Sequence, residues 1–157
     1  MNLLKPHYRF NRITDIRVED LEKDGIKLVL LDADNTLSFH ASQEPFPGVL
    51  EWLDEIRKNG IVPVIISNNG EKRIKPFAEK LKTDFISKAK KPLPKGFMKA
   101  CEKTGIMPEK AAVIGDQIFT DVLGGNLIGA KVFLTEPLGR ETDSFIKFKR
   151  KIEKFIR

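Results

Sequence analysis

The chain has 157 residues, of which 41% are hydrophobic and 32% are charged, and its formal net charge at pH 7 is +6. These values are typical of one globular domain with its own core and exclude a largely disordered chain. No apolar run reaches the ~18–20 residues of a membrane span and the N-terminus lacks a signal-peptide pattern, so we expect a cytoplasmic protein whose basic charge favours anionic partners.

The predicted elements alternate between apolar strands and amphipathic helices. In chain order they are a strand at 27–32, a helix at 49–60, a strand at 61–67, a helix at 70–82, a short strand at 84–87, a helix at 94–104, a strand at 111–116, a short helix after it, and a strand at 130–135. We expect the first helix to bury Val49, Leu50, Leu53 and Ile56, which recur at helical spacing. The single cysteine, Cys101, excludes an intramolecular disulfide and is expected to pack as a small apolar residue.

This alternation, with its short connections, indicates an α/β fold in three layers. A mostly parallel, Rossmann-like sheet is expected to carry helices on both faces, in a single domain over residues 1–157. Ligands of such sheets bind beyond the carboxyl ends of the strands. The residues that follow each predicted strand are therefore the candidates for a functional site.

Carboxylates, a hydroxyl and lysines follow the predicted strands. The residues at these ends are Asp32 and Asp34 after the first strand, Ser67 and Asn68 after the second, Lys91 in a basic loop after the short third strand, and Asp116 and Asp121 after the fourth. Since the carboxyl ends of parallel strands meet at one edge of a sheet, we expect these side chains to lie together.

The residue types predict phosphoryl-transfer chemistry. Asp32 and Asp116 offer oxygen ligands suited to Mg²⁺. A carboxylate such as Asp32 can attack phosphorus and form an acyl phosphate. The chain must turn after Asp32 for Asp34 to share the site as general acid and base. Ser67, with backbone N–H groups near it, can bind phosphate oxygens, and Lys91 supplies positive charge.

These motifs resemble those of the haloacid dehalogenase (HAD) superfamily. The matching sequences are DADNT at 32–36, Ser67 after the next strand, Lys91-Pro92, and GDQIFTD at 115–121. The resemblance implies that Asp32 is the nucleophile, Asp34 the general acid/base, and Ser67, Asn68 and Lys91 phosphate ligands. It also implies Mg²⁺ bound by Asp32, Asp34 (through its backbone carbonyl) and Asp116, with Asp121 supporting the metal shell.

A finer resemblance points to the YqeG-like phosphatases of HAD subclass IIIA. It rests on LLKPHYRFNRITDI, GIKLVLLDADNTL, AKKPLPKGF and VIGDQIFTDVLGGNLIGA, which together extend over nearly the whole chain. Neither the loop at 38–46 nor the segment between Ser67 and Lys91 has room for the cap domain of many relatives, so we expect an open site. The family is similar to mitochondrial and plastid phosphatases of phosphatidylglycerophosphate, which implies a lipid phosphomonoester as substrate.

The C-terminal sequence SFIKFKRKIEKFIR predicts a basic amphipathic helix. Its apolar positions, Phe145, Phe148, Ile152, Phe155 and Ile156, are expected to pack on the sheet, and its basic side chains could contact an anionic membrane peripherally. The N-terminal basic residues could act similarly. His7 and His40 lack a partner pattern and are expected to be exposed.

Two other functions remain open from the sequence. One is a phosphatase for soluble nucleotides, sugar phosphates or nucleic-acid ends, although no aromatic and basic residues interleave as in base-stacking proteins. The other, from a different class, is a regulatory or RNA- or ribosome-binding protein on a HAD scaffold. The complete set of chemistry-bearing residues argues against that second alternative.

Overall fold

The computed structural model describes residues 2–137, 151–154 and 156. Its strands are β1 (Tyr8–Phe10), β2 (Leu28–Leu31), β3 (Val62–Ile66), β4 (Asp84–Ile86), β5 (Ala111–Gly115) and β6 (Lys131–Thr135). Its α-helices are α1 (Val18–Glu22), α2 (Val49–Lys58), α3 (Glu71–Leu81), α4 (Pro94–Thr104) and α5 (Leu123–Leu127). Short 3₁₀ turns span Ile13–Asp15 and Pro108–Lys110, and a π-helical turn spans Ile118–Val122.

All six strands form one sheet in the order β1-β6-β5-β2-β3-β4, and every neighbouring pair is parallel. The predicted parallel α/β fold is thereby confirmed. β2 lies at the centre, with Leu30 opposite Val64 on one side and Val113 on the other. The carboxyl ends of β2, β3 and β5 consequently meet at one edge of the sheet.

Alternate residues of β2 serve two separate cores. Val29 and Leu31 face a cluster that includes Leu53 of α2 and Phe77 of α3. Leu28 and Leu30 face a second cluster that contains Phe97 of α4. Because β2 is buried on both faces, it is apolar at every position, as strands of a covered parallel sheet are. The central strand is thus fixed between two helical layers.

One buried position in α2 differs from the prediction. Leu50 is 44% exposed, whereas Val49, Leu53 and Ile56 are buried as expected. Trp52 takes the inward position instead, and its indole N–H donates to the carbonyl oxygen of Ile16 at 2.8 Å. The prediction was wrong because the segment containing Ile16, which covers this end of α2, was not recognised as structured.

The N-terminal residues form a strand that the sequence patterns did not predict. Tyr8–Phe10 pairs in parallel with β6, and the ring centroids of Tyr8 and Phe133 lie 4.8 Å apart. Three residues are too few to display the alternation that identifies a strand. His7 is exposed as expected, but its Nδ1 accepts a hydrogen bond from the backbone N–H of Val132 at 3.0 Å.

The described C-terminal residues do not pack as predicted. Ile152 and Ile156 are 39% and 36% exposed, so the prediction that these two residues pack on the sheet was wrong. The buried residue is Glu153, with 1% exposure. Phe145, Phe148 and Phe155 lie outside the described residues. Among the helices that the structure describes, none is long and apolar enough to cross a membrane.

The two gaps where a cap domain would be inserted are short. Between β2 and α2 the chain makes a compact loop with isolated bridges from Ser38 to Asp34 and to Pro45. Between β3 and Lys91 lie only α3 and β4. No cap domain occurs within the described ranges, in agreement with the prediction, and the carboxyl edge of the sheet is left open.

Candidate active site

A pocket of about 210 Å³ opens at the carboxyl edge of the sheet. It is lined by Asp32, Asp34, Asn35, His40, Ser67, Asn68, Asn69, Lys91, Gln117 and Thr120. Asp116 and Asp121 are buried beside Asp32. The structure therefore brings every predicted site residue to this edge.

A tight turn after β2 places Asp34 in the same pocket as Asp32. The backbone N–H of Leu37 donates to the carbonyl oxygen of Ala33 at 2.9 Å, and Asn35 adopts a left-handed conformation with φ of 65°. Asparagine tolerates this conformation better than most residues. The hydroxyl of Thr36 reaches back to Asp32 Oδ2 at 3.3 Å. The expected turn after the first aspartate is confirmed.

Lys91 joins two carboxylates in the interior of the site. Its side chain is 4% exposed, and Nζ lies 2.9 Å from Asp32 Oδ1 and 2.8 Å from Asp121 Oδ1. Burial alone would lower the pKa of Lys91, but the negative charges of Asp121 and Asp32 outweigh it and raise the pKa above its ordinary value. Lys91 is therefore a fixed positive charge across the physiological pH range.

The loop that carries Lys91 is held from two sides. The carboxamide of Asn68 accepts from the Lys91 backbone N–H at 2.7 Å and donates to its carbonyl oxygen at 3.3 Å. On the other side, a Cβ at Gly96 would lie 2.7 Å from the Cβ of Ala89, so only glycine lets α4 approach this closely. The Asn68 side chain is thus bonded to the Lys91 backbone, and the predicted phosphate contact of Asn68 stays a prediction.

Three carboxylates form a cluster that fits a divalent cation. Oxygen atoms of Asp32, Asp116 and Asp121 all lie within 4.8 Å of one another, and this oxygen-only set is what hard cations prefer. Burial, reinforced by the charge of Asp32, raises the pKa of Asp121 to about 6 despite the nearby Lys91. Three carboxylates facing one ammonium carry an excess of negative charge that a divalent cation would neutralise.

Gly115 allows the Asp121 carboxylate to lie against the end of β5. A Cβ at position 115 would be 2.3 Å from Asp121 Oδ2, which is closer than any real contact. The same oxygen accepts from the backbone N–H of Gln117 at 3.2 Å. The glycine of the GDQIFTD sequence thus has a steric reason for its place before Asp116.

The carboxylate of Asp34 points to a different set of partners. Oδ1 accepts from Arg73 Nη2 and from the backbone N–H of Ala41, both at 2.9 Å, and Oδ2 accepts from Asn69 Nδ2 at 2.6 Å. Burial of Asp34 opposes its ionisation, but the hydrogen bond from Arg73, helped by those from Ala41 and Asn69, lowers its pKa below the ordinary value. The side chain is therefore held as a carboxylate, apart from the three-carboxylate cluster.

Ser67 presents its hydroxyl to the pocket from the end of β3. The side chain is buried, and Oγ accepts from the backbone N–H of Asn69 at 3.0 Å and from its Nδ2 at 3.2 Å. With both of these bonds accepted, the hydroxyl proton can be donated to an acceptor in the pocket. This geometry is consistent with the predicted phosphate contact.

Glu153 holds the loop between Asp116 and Asp121 from the C-terminal side. Its Oε1 accepts from the backbone N–H of Ile118 at 2.9 Å and of Phe119 at 3.3 Å, at the start of the π-helical turn. An acidic side chain at such a position supplies the acceptor that the first N–H groups of a helical turn lack. The loop that carries two of the clustered carboxylates is fixed in this way.

Sequence reasoning missed four residues of this site. Arg73 and Asn69 contact Asp34, His40 Nδ1 lies 3.9 Å from Asp34 Oδ2, and Glu153 supports the next loop. Arg73 stands in a polar helix among other basic residues, and Glu153 in a basic segment, so neither carries a local signal. The Asn68-Asn69 pair, which follows Ser67 at the end of β3, was the one available indication.

Comparisons with known proteins agree with the chemistry that the geometry of this site suggests. A family model described as haloacid dehalogenase-like hydrolase matches residues 3–129. The chain is 38% identical over 144 residues to the probable phosphatase YqeG of Bacillus subtilis, covering 92% of this chain and 84% of that protein. It is 28% identical over 154 residues to the mitochondrial phosphatidylglycerophosphatase GEP4 of Saccharomyces cerevisiae, covering 85% and 80%.

Solved structures share the fold at low identity. The 4-nitrophenylphosphatase of Thermotoga maritima superposes with a TM-score of 0.62 at 15% identity, covering 80% of this chain and 91% of that one. NagD of Escherichia coli gives a TM-score of 0.61 at 14% identity, covering 78% and 91%. At these identities the likeness extends to the fold alone.

Proposed function

The chain belongs to the haloacid dehalogenase-like hydrolase family and is a YqeG-like phosphatase, and we propose that it hydrolyses a lipid phosphomonoester of the phosphatidylglycerophosphate type through an aspartyl-phosphate intermediate. The observation that carries the mechanism is the position of Lys91, whose Nζ lies between Asp32 and Asp121 at the open pocket.

In the first step a carboxylate oxygen of Asp32 attacks the phosphorus atom. The new bond forms from Asp32 to phosphorus while the bond to the ester oxygen breaks. The anionic phosphate, a like charge bound beside Asp34, raises the pKa of that residue so that its carboxylate takes a proton from solvent, and the leaving alkoxide then takes this proton. Lys91 and the hydroxyl of Ser67 stabilise the negative charge on the non-bridging oxygens. The products of this step are the alcohol and a phosphorylated Asp32.

In the second step a water molecule attacks the same phosphorus atom and gives one proton to the Asp34 carboxylate. The bond from phosphorus to Asp32 breaks, which releases inorganic phosphate and restores the Asp32 carboxylate. The contacts of Asp34 with Arg73 and Asn69 suit this step, because they favour the ionised form that accepts the proton.

Mg²⁺ is the proposed cofactor. Asp32 and Asp116 are the carboxylates that would hold it. The backbone carbonyl of Asp34 would be a further ligand, and Asp121 would support the metal shell. The cluster of carboxylate oxygens from Asp32, Asp116 and Asp121 supports this assignment. When bound, the ion supplies positive charge against the phosphate oxygens.

Three observations support a lipid substrate. The relative from Saccharomyces cerevisiae and one from Arabidopsis thaliana, 28% identical over 152 residues and spanning 43% of that protein, are named as phosphatases of phosphatidylglycerophosphate. The site is open, as a phosphate presented on a large assembly requires. Exposed Ile152 and Ile156 stand beside exposed Lys151 and Lys154, a combination that suits an anionic membrane surface.

The test is phosphate release from phosphatidylglycerophosphate in mixed detergent micelles with Mg²⁺. We expect turnover by the unmodified protein and loss of at least about a thousandfold in Asp32→Asn, which keeps the side-chain size but removes the nucleophile. Asp54→Asn, at an exposed carboxylate of α2, is the matched control and should retain activity. Turnover of soluble phosphate esters with none of the lipid would refute the substrate assignment.

A further inference from the structure

A second pocket, which we call the Phe39 pocket, opens at the same edge of the sheet. Its volume is about 160 Å³, and its walls include Ile13, Phe39, Phe46, Pro47 and Val49, with Arg12 at its margin. Phe39 is 55% exposed and contacts Phe46 edge to face, with 4.8 Å between the ring centroids. The pocket is therefore an apolar recess whose largest side chain is left half in solvent.

The Phe39 pocket and the active-site pocket share one wall. Thr36 lines the Phe39 pocket and donates its hydroxyl proton to Asp32 Oδ2. Phe39 lines the Phe39 pocket, whereas its neighbour His40 lines the active-site pocket. The segment 35–40 thus lies between the two recesses, next to the position of the reacting phosphate at Asp32.

Arg12 gives the apolar recess one positive charge. Its side chain is exposed, and among the ion pairs of the described residues none involves its guanidinium group. The nearby carboxylate of Asp15 accepts instead from the backbone N–H of Arg12, at 3.1 Å. An arginine with no carboxylate partner beside an apolar wall suits a ligand that carries both an anionic oxygen group and hydrocarbon.

We propose that the Phe39 pocket is the site for the part of a lipid substrate next to the reacting phosphate, with Arg12 binding its phosphodiester and the apolar wall its first acyl-glycerol carbons. This inference rests on the proposed function. A cavity of about 150 Å³ holds one benzene ring. The pocket accordingly takes a few carbon atoms, while the remaining acyl chain stays in the lipid surface.

The composition of the walls favours lipid over a nucleobase. Aliphatic side chains of Ile13, Val49 and Pro47 form much of the recess, and Phe39 and Phe46 contact each other edge to face rather than forming a parallel slot. A base-binding site would present a free aromatic face for stacking. A nucleotide is therefore the competing occupant that the experiment has to separate.

The experiment compares four substrates with two variants and two controls. The substrates are phosphatidylglycerophosphate in micelles, its deacylated derivative (which keeps both phosphates), a nucleoside monophosphate, and p-nitrophenyl phosphate. The variants are Phe39→Ser and Arg12→Gln. The controls, Met107→Ser and Lys110→Gln, remove an exposed apolar side chain and an exposed charge just before β5, at the opposite edge of the sheet.

We expect kcat/KM, taken relative to p-nitrophenyl phosphate, to fall about tenfold for the lipid in Phe39→Ser, because an apolar contact with the acyl-glycerol carbons is lost. The deacylated derivative should not share this loss. Arg12→Gln should lower the relative kcat/KM of both the lipid and the deacylated derivative, since both carry the phosphodiester. The two control variants should leave every ratio unchanged.

The outcomes separate the pocket from the proposed function. If the unmodified protein hydrolyses soluble esters but not the lipid, the proposed substrate is wrong. If it hydrolyses the lipid, but Phe39→Ser and Arg12→Gln leave the ratios unchanged, the pocket assignment is wrong. A selective loss toward the nucleoside monophosphate in Phe39→Ser would assign the pocket to nucleotides instead. Thermal unfolding of each variant confirms that the compared proteins are folded.

Discussion

Replacing Lys91 by methionine tests the electrostatics of the active site without measuring catalysis. The substitution keeps most of the side-chain length but removes an ammonium group located 2.9 Å from Asp32 and 2.8 Å from Asp121, with only 4% of the lysine side chain exposed. Breaking a buried ion pair by removing one partner costs about 3–5 kcal/mol, because the remaining charge stays buried. We expect the free energy of unfolding to fall by this amount.

Lys103→Met is the matched control, because it removes the same group from a surface ion pair. Lys103 Nζ lies 3.0 Å from Asp84, a distance similar to those of Lys91, but the two side chains are 49% and 54% exposed. Solvent screens such a pair, and its loss should cost at most about 1 kcal/mol. The difference between the two variants in lost unfolding free energy therefore reports the effect of burial rather than of distance.

The cost of Lys91→Met should also depend on pH. The pKa of Asp121 is raised from 3.8 to about 6 even with Lys91 present, and loss of the lysine raises it further. An acid whose folded pKa is raised destabilises the fold as pH rises from its unfolded pKa through its folded one. The part of the difference that comes from Asp121 should therefore be small near pH 5 and largest above the raised pKa of Asp121, so the total difference should grow with pH.

The assay is urea denaturation of both variants in metal-free buffer at acidic and at mildly alkaline pH. Addition of Mg²⁺ should restore part of the stability of Lys91→Met, because a ligand that binds only the folded state stabilises it. A loss no larger than that of Lys103→Met, or one that is the same at both pH values, would refute the assignment of Lys91 as the compensating charge of the cluster.

Variants at two further residues test the supports around the site. Arg73→Gln removes the main hydrogen bond that lowers the pKa of Asp34. The limb of the pH–rate profile that reports Asp34 should therefore move to higher pH, and Arg73→Lys should give an intermediate position. An unchanged profile would contradict the role of Arg73. Glu153→Ala leaves the N–H groups of Ile118 and Phe119 without their acceptor and should lower the free energy of unfolding by about 1–3 kcal/mol and weaken Mg²⁺ binding in calorimetry. Glu153→Gln keeps an acceptor oxygen and should retain most of both; equal losses in the two Glu153 variants would show that the carboxylate charge, not the acceptor, matters.

The elements with strong local patterns were predictable from the sequence. The helix at 94–104 was predicted with the bounds that the structure has, and the strand at 111–116 within one residue. The same holds for the position of Asp32, Ser67, Lys91 and Asp116 at one edge, because parallel strands order their carboxyl ends together. In both cases the information lies within a few consecutive residues.

What was missed depends on contacts between distant parts of the chain. Arg73 reaches Asp34 across 39 positions, and Glu153 reaches Ile118 across 35. Trp52 rather than Leu50 is buried because Ile16 supplies an acceptor 36 positions away. No stretch of sequence short enough to show a local pattern contains both partners of such a pair. A charged residue that supports the site therefore looks the same in the sequence as a charged residue on the surface.

The position of β1 beside β6 has a consequence for synthesis of the protein on the ribosome. Tyr8 pairs with Phe133, so the first strand finds its neighbour only after about 125 further residues have been made. At about 5–20 residues per second this takes roughly 6–25 seconds. During this time β1 has no neighbouring strand, because β6 has not yet been synthesised. The strands β2 to β5 and the pocket at their ends can associate earlier. We therefore expect nascent chains to acquire a protease-resistant centre before the N-terminal residues become protected.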